Sequence, residues 1–216
     1  MNDGFVKMWD NWSKRRSSVP VYDLWLDEYK DILQGNKDNE ILDLGCGIGA
    51  DTLYLLERGY KVLSCDFSVE ALKSIENNIP NSKTLYLDMM KKFPFADKNY
   101  TLIIADLSLH YFNNETTIHI MEEIKRILKN GGVLLARVAS VNDFNFGAGQ
   151  GEKLENNFYF EGAYTKRFFD IEDVNKYFSI IGEVEAKETQ MTRDEEEYSK
   201  PKVLYTIKVE KRELDE

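Results

Sequence analysis

Residues 41–49 read Ile41-Leu42-Asp43-Leu44-Gly45-Cys46-Gly47-Ile48-Gly49, an apolar run that closes on three alternate glycines and carries an aspartate two places before the first. The run has the composition of a buried strand, and Ala50 to Arg58 has that of a helix, so the glycines form a strand-to-helix turn. Glycine at such a turn lets a ligand lie against bare backbone.

Outward from this turn the chain alternates strands and helices. Trp25, Tyr29, Ile32 and Leu33 mark an amphipathic helix over 21–34 that ends at Gly35 and belongs to a helical cap over 1–35. Tyr60 to Cys65 is a strand ending at Asp66, Ser68 caps a helix to about Asn77, and Thr84 to Leu87 is a strand ending at Asp88. Tyr100 to Ala105 is a strand ending at Asp106, and Ile118, Met121, Ile124 and Leu128 mark a helix stopped by Asn130-Gly131-Gly132. Val133 to Val138 is the fifth strand. Such alternation predicts a three-layer α/β sandwich, a mostly parallel sheet with helices on both faces and ligands beyond the strands' carboxyl ends. Asp43, Asp66, Asp88 and Asp106 all fall at or near that edge.

Beyond the core at 39–139 the texture changes. Residues 140–167 are rich in Gly, Asn and aromatics without helical or strand periodicity, which predicts a long substrate loop or lid. Ile171 to Phe178 reads as a short helix. Two strands within 182–210, Gly182 to Glu188 and Lys202 to Glu210, flank the acidic Asp194-Glu195-Glu196-Glu197 and predict an antiparallel terminal hairpin.

With 216 residues and 43% hydrophobic content, the expectation is one domain over 1–216. A net charge of -10 and the lack of a broad basic face argue against nucleic acid as a partner. Lys14-Arg15-Arg16 reads as a solvated turn. No run is long and apolar enough to span a membrane and the N-terminus lacks a signal-peptide core, so a cytoplasmic location is expected. Cys46 and Cys65 read as reduced packing residues, and no metal site is indicated.

Gly45, Gly47, Gly49 and Ala50 also satisfy a dinucleotide pattern. A dinucleotide places its pyrophosphate at the helix N-terminus, where Asp43 would add unwanted negative charge. Asp43 favours a cationic ligand instead. Asp66, 21 residues after Gly45, suits the two hydroxyls of a ribose, and Asp88 with Met89 suits an adenine amino group and ring face.

Taken in order, Asp43 to Gly49, Asp66, Asp88, Phe93-Pro94-Phe95, Ala105 to His110 and Leu128 to Gly132 resemble the class I, Rossmann-like, S-adenosylmethionine-dependent methyltransferases, over about residues 39–140. The resemblance implies a seven-stranded sheet whose last strand is antiparallel. It also implies a cofactor site in which Asp43, Gly45, Cys46, Gly47 and Gly49 hold the amino-acid end, Asp66 and Phe67 the ribose, and Asp88 and Met89 the adenine. Asp106 and Leu107 then stand where methyl group and acceptor meet. Thr101 departs from the pattern, since many relatives carry aspartate there. Asn142 to Gly151 with Lys166-Arg167-Phe168-Phe169 is similar, more loosely, to the tellurite-resistance-type and thiopurine-type small-molecule branch.

The activity implied is in-line transfer of a methyl group from S-adenosylmethionine to a small-molecule acceptor, for which alignment supplies roughly 7 to 11 kcal/mol and a catalytic base is optional. His110 and Asp106 are the candidates for that base, and for His110 packing or pocket wall is the preferred reading over base. Trp12, with Trp9 and Tyr22, either roofs the cofactor with aromatic faces or packs an N-terminal helix. Arg137 and Arg167 either hold the acceptor or pair with carboxylates. Two alternatives stand beside transfer: a protein that binds the cofactor without using it, and a nicotinamide oxidoreductase. The second needs Tyr-x-x-x-Lys on a helix, and Tyr198 to Lys202 contains Pro201.

Overall fold

The computed structural model describes residues 3–15, 19–191 and 200–212. The acidic connection at 194–197 and Tyr198 lie outside these residues, as does Arg16.

Helix α1 (Asp3–Arg15) is followed by a 3-10 turn (Trp25–Tyr29) and α2 (Lys30–Gly35). The core then runs β1 (Glu40–Leu44), α3 (Ala50–Glu57), β2 (Lys61–Asp66), α4 (Val69–Asn78), β3 (Lys83–Tyr86), β4 (Tyr100–Asp106), α5 (Asn114–Ile127) and β5 (Leu128–Ala139). Three short strands follow, β6 (Glu152–Glu155), β7 (Phe158–Phe160) and β8 (Thr165–Arg167), and then α6 (Ile171–Phe178), β9 (Glu183–Gln190) and β10 (Val203–Glu210).

Seven strands form one sheet in the order β3-β2-β1-β4-β5-β10-β9. The first five are parallel, and β10 enters antiparallel to both β5 and β9. This is the α/β architecture expected from the strand–helix alternation, with the single antiparallel insertion that the family resemblance implied. The central strands bury both faces because their residues alternate between two apolar layers. Leu42, Leu44, Ile103, Ala105, Leu134 and Ala136 meet α5 and α6 on one side, while Ile41, Leu102, Ile104 and Leu135 meet α3 and the segment from Trp25 to Leu33 on the other.

Three boundaries differ from the sequence reading. The helix expected over 21–34 is a 3-10 turn followed by one short α-helix, because Asp23 is drawn to Arg137 and Trp25 to Asp51, which anchors the segment in pieces. Helix α5 ends at Ile127, since Leu128 turns to extended backbone and pairs with Tyr100. The stretch 140–167, read as loop, contains a three-stranded antiparallel sheet. Its strands are too short to show alternation and are separated by Asn157 and Gly162, both at positive φ.

Candidate active site

The glycine turn is held from two sides. The amides of Gly45 and Cys46 both donate to the carbonyl of Cys65, at 2.7 and 3.0 Å, tying the turn to the end of β2. Asp66, the last residue of β2, accepts from the amide of Gly47 at 2.9 Å through Oδ2 and from that of Ser68 at 2.8 Å through Oδ1. One carboxylate thereby fixes the middle of the glycine turn and the start of α4. On the other side a Cβ on Gly45 would stand 2.3 Å from Cβ of Ser108, whose hydroxyl donates to the carbonyl of Leu44 at 2.7 Å. Gly45 is therefore needed for close packing as well as for its φ of 76°. Gly49 acts differently: it caps α3 at φ 93° and faces Ile75 and Ile79.

A cavity of about 580 Å³ opens at this edge. Its floor contains Asp43, Gly45, Cys46, Gly47, Asp66, Phe67, Met89, Asp106 and Leu107, and its roof contains Trp9 and Trp12 of α1. The far wall comes from the small sheet and its loops: Phe146, Gly147, Glu161, Tyr164, Lys166 and, from the start of the last strand, Lys202. These nine floor residues and two roof residues, all singled out in sequence, thus meet around one space. Helix α1 is pinned above it by a hydrogen bond from Ser68 to Asp10 at 2.6 Å. Leu107, at φ 52°, is a non-glycine residue in the left-handed region, and its amide donates to the carbonyl of Arg137 at 2.9 Å. Strain of this kind collects where backbone must face a ligand.

Six candidates stand outside the cavity lining, Gly49 among them because it caps α3 and faces Ile75 and Ile79. His110 is fully buried, its Nδ1 accepts from the amide of Ala139 at 3.3 Å, and burial followed by repulsion from Lys166 and Lys202 drives its pKa well below the usual histidine range. It is held neutral in the interior and does not line the cavity. Arg137 is 2% exposed and grips Asp106 bidentately, at 2.6 and 2.8 Å, and Asp23 at 2.7 Å, beneath the ring of Trp25. Arg167 pairs with Glu155 at 2.6 Å and donates to the carbonyl of Asn156. Both arginines are ion-pair partners rather than acceptor ligands in this arrangement. Asp88 accepts from the amide of Met90 at 3.0 Å and lies 3.8 Å from Lys91, so Met89 alone of that pair faces the cavity. Tyr22 packs on Tyr54 and hydrogen-bonds Glu57, away from the roof. Thr101 donates to Asn36 at 2.5 Å, a structural role.

The floor is strongly acidic for its depth. Burial raises the pKa of Asp43 to about 7, with further pressure from Asp106 and Asp66, while the hydroxyl of Thr52 at 2.7 Å opposes the shift. Asp51, which sequence reading passed over, lines the cavity as well; burial, then Asp106 and Asp43, hold its carboxyl well above the usual range, against Arg137 and a bond from the Trp25 indole. Burial also raises Asp66, opposed by the amides of Ser68 and Gly47. Among these acids Asp106 is ion-paired with Arg137. Burial works against its charge, but Asp106, Asp23 and Asp51 outweigh that and keep it a guanidinium.

These residues fit an adenosyl sulfonium. The acidic floor favours a cation, and the ring of Trp9 lies near those of Trp12 and Tyr111, at 5.5 and 5.2 Å between centroids. Bare backbone is available at Gly47: an added Cβ would meet nothing within 4 Å, because it would stand in the cavity itself. Gly47→Ala is accordingly expected to weaken cofactor binding at least tenfold in calorimetry while costing about 1 to 2 kcal/mol of stability, from the φ of 53° alone. Unchanged affinity would mean that the ligand lies elsewhere.

Comparison with known proteins agrees with this geometry. Residues 41–132 match the methyltransferase-domain family. The chain is 25% identical over 173 residues to a glycine/sarcosine N-methyltransferase of Aphanothece halophytica, covering 76% of this chain and 62% of that one. It is 26% identical over 157 residues to a tRNA N(3)-cytidine methyltransferase of Gallus gallus, covering 67% and 42%. The chain spans about half the length of the curated relatives it matches. In fold it is similar to a SAM-dependent methyltransferase of Methanosarcina mazei, with a TM-score of 0.66 at 19% identity over 82% of this chain and 93% of that one. S-adenosylmethionine is the methyl donor this family implies. The glycine turn, the sheet order and the match of residues 41–132 to the methyltransferase-domain family agree, and this part of the chain is similar to the class I S-adenosylmethionine-dependent methyltransferases.

Proposed function

We propose that this protein transfers a methyl group from S-adenosylmethionine to a small-molecule acceptor by in-line displacement. The observation that carries the reading is the single cavity shared by the cofactor edge of the sheet and the small sheet over residues 152–167. Bound there, the cofactor supplies a methyl group already activated by the positive charge on sulfur, so the chain's task is alignment. Asp66 presents its remaining lone pairs to ribose hydroxyls, Met89 lies on the adenine face, and Gly45 and Gly47 allow the amino-acid end close to the backbone. Leu107 and Tyr111 border the reacting atoms. A small acceptor suits a cavity of this size roofed by α1, and the net charge of -10 disfavours the nucleic acid named for one relative. No helix among the described residues is long and apolar enough to cross a membrane.

Incubation with methyl-labelled cofactor and a panel of thiols, selenite, tellurite and small amines tests transfer. Labelled product supports the reading, and occupancy without product would assign a binding protein instead. The thiol and chalcogen arms also test the looser likeness of residues 142–151 to the tellurite-resistance and thiopurine branch.

Asp43 makes cofactor binding depend on pH. Its folded value lies above the unfolded one, so without cofactor its contribution to stability is full below about pH 4 and is lost as pH rises through about 7. A cation beside it favours the ionised form. S-adenosylmethionine binding should therefore release a proton near pH 6 and weaken as pH falls through about 7, read by calorimetry in buffers of different ionisation enthalpy. Affinity that stays level between about pH 5.5 and 8.5 would remove Asp43 from contact with the sulfonium end.

A further inference from the structure

The far wall of the cavity carries one carboxylate, Glu161, and two lysines, Lys166 and Lys202, and the fold keeps Glu161 and Lys166 apart. Glu161 sits in the turn between β7 and β8, where its amide donates to the carbonyl of Tyr164 at 2.9 Å. The hydroxyl of Tyr164 donates to Glu161 Oε2 at 2.8 Å, while Oε1 is buried with no donor among the described residues. Gly147, at a φ of 97°, lies against this carboxylate, and a Cβ there would stand 2.7 Å from Oε1. Lys166, on β8, is 4% exposed, yet its ammonium donates only to the carbonyl of Phe146, at 3.0 Å, and otherwise lies 4.5 Å from the ring of Phe168. No ion pair joins Lys166 to Glu161 or Asp143, and both Lys166 and Glu161 line the cavity.

Buried opposite charges within one space normally collapse onto each other, since an uncompensated charge is costly and a pair recovers part of that cost. Here the Tyr164 hydroxyl holds one in place and the Phe146 carbonyl holds the other, which leaves a gap with a negative and a positive side. Burial, reinforced by Lys202, lowers the pKa of Lys166 to about 8, as expected for an ammonium waiting for an anion.

We infer that Glu161, with Tyr164, and Lys166 form the acceptor subsite, and that it takes an aminocarboxylate whose nitrogen receives the methyl group. The inference rests on the methyltransferase reading above. The acceptor's carboxylate pairs with Lys166, and its amine, after giving one proton to solvent, donates an N–H to Glu161 Oε1. Its lone pair forms the new N–C bond as the S–C bond breaks with both electrons left on sulfur, and the methylated ammonium then returns to solvent or loses a second proton. Tyr111, whose ring centroid is 6.1 Å from that of Tyr164, closes the side of the subsite toward the cofactor.

Two measurements separate this inference from the reading beneath it. S-adenosylmethionine and S-adenosylhomocysteine binding is measured first by calorimetry, and failure of both would overturn the cofactor assignment and the subsite with it. In the presence of S-adenosylhomocysteine, α- and β-amino acids from glycine to phenylalanine are then titrated, with ethylamine and propionate as the separate halves. The expected result is binding by one or more amino acids, none by either half, and label on nitrogen when S-adenosylmethionine is supplied. Glu161→Gln and Lys166→Met should each weaken amino-acid binding at least tenfold while cofactor affinity stays within twofold, and Lys166→Arg should recover part of the loss. Cofactor binding without any amino-acid binding, equal binding of ethylamine or propionate, or unchanged affinity in both variants would overturn the subsite and leave the methyltransferase reading standing.

Discussion

Asp66→Ala is expected to weaken S-adenosylmethionine binding by about 100-fold. Two effects add at this residue. In the proposed site its carboxylate accepts from the ribose hydroxyls, and it also anchors the amides of Gly47 and Ser68, at 2.9 and 2.8 Å, that set the glycine turn and the start of α4. Hydrogen bonds to an ionised group contribute about 1.5 to 3 kcal/mol each, so losing two in the bound state corresponds to roughly 3 kcal/mol or more. Stability without cofactor should fall by less, about 1 to 2 kcal/mol, because the freed amide of Gly47 reaches the cavity and burial already disfavours the charge removed. Asp66→Asn separates the two roles, since its single carbonyl oxygen can serve one amide but neither restores the charge nor accepts from both sides. Calorimetry checks the series, and affinity in Asp66→Ala within threefold of the parent would end the ribose assignment.

Arg137→Met should produce the largest loss of stability of any single change in the site, about 3 to 5 kcal/mol at pH 8. The guanidinium is 2% exposed and balances Asp106 and Asp23 directly and Asp51 through space. Methionine fills much of its volume but leaves these carboxyls buried without a cation. Each then ionises less readily in the folded state, so the folded chain holds protons that the unfolded chain releases above about pH 4. The loss should therefore shrink as pH is lowered from 8 to 5. Urea denaturation at both values reads this directly. A loss that is the same at pH 5 and pH 8 would show that Arg137 acts through packing rather than charge.

The part of the site made by the sheet's carboxyl edge was legible because its signals are local. Gly45, Gly47 and Gly49 at positive φ, Asp66 at a strand end and Ser68 as helix cap are each read from a few neighbouring residues. Misreadings arose where a long-range contact decides. The spacing of Trp25, Tyr29, Ile32 and Leu33 correctly identifies a core-facing segment, but Arg137 and Asp51, far along the chain, break it into a 3-10 turn and a short helix. For His110, where packing or pocket wall was the reading preferred over base, the amide of Ala139 and the surrounding core place it in the interior. The small sheet escaped notice because strands of three or four residues leave no measurable period.

The sequence by itself determined the α/β alternation, the glycine turn and the place of Asp43 and Asp66 at the sheet's carboxyl edge. Backbone dihedrals and strand ends are properties of neighbouring residues, and four acidic residues at one edge follow from strand order alone. Only the tertiary structure decided which charges are paired and which face the cavity. Arg137 belongs to Asp106 and Asp23, Arg167 to Glu155, while Glu161 and Lys166 face the same space without touching. Pairing depends on depth, direction and distance between residues remote in sequence, and burial sets the electrostatic cost of every charge left unpaired.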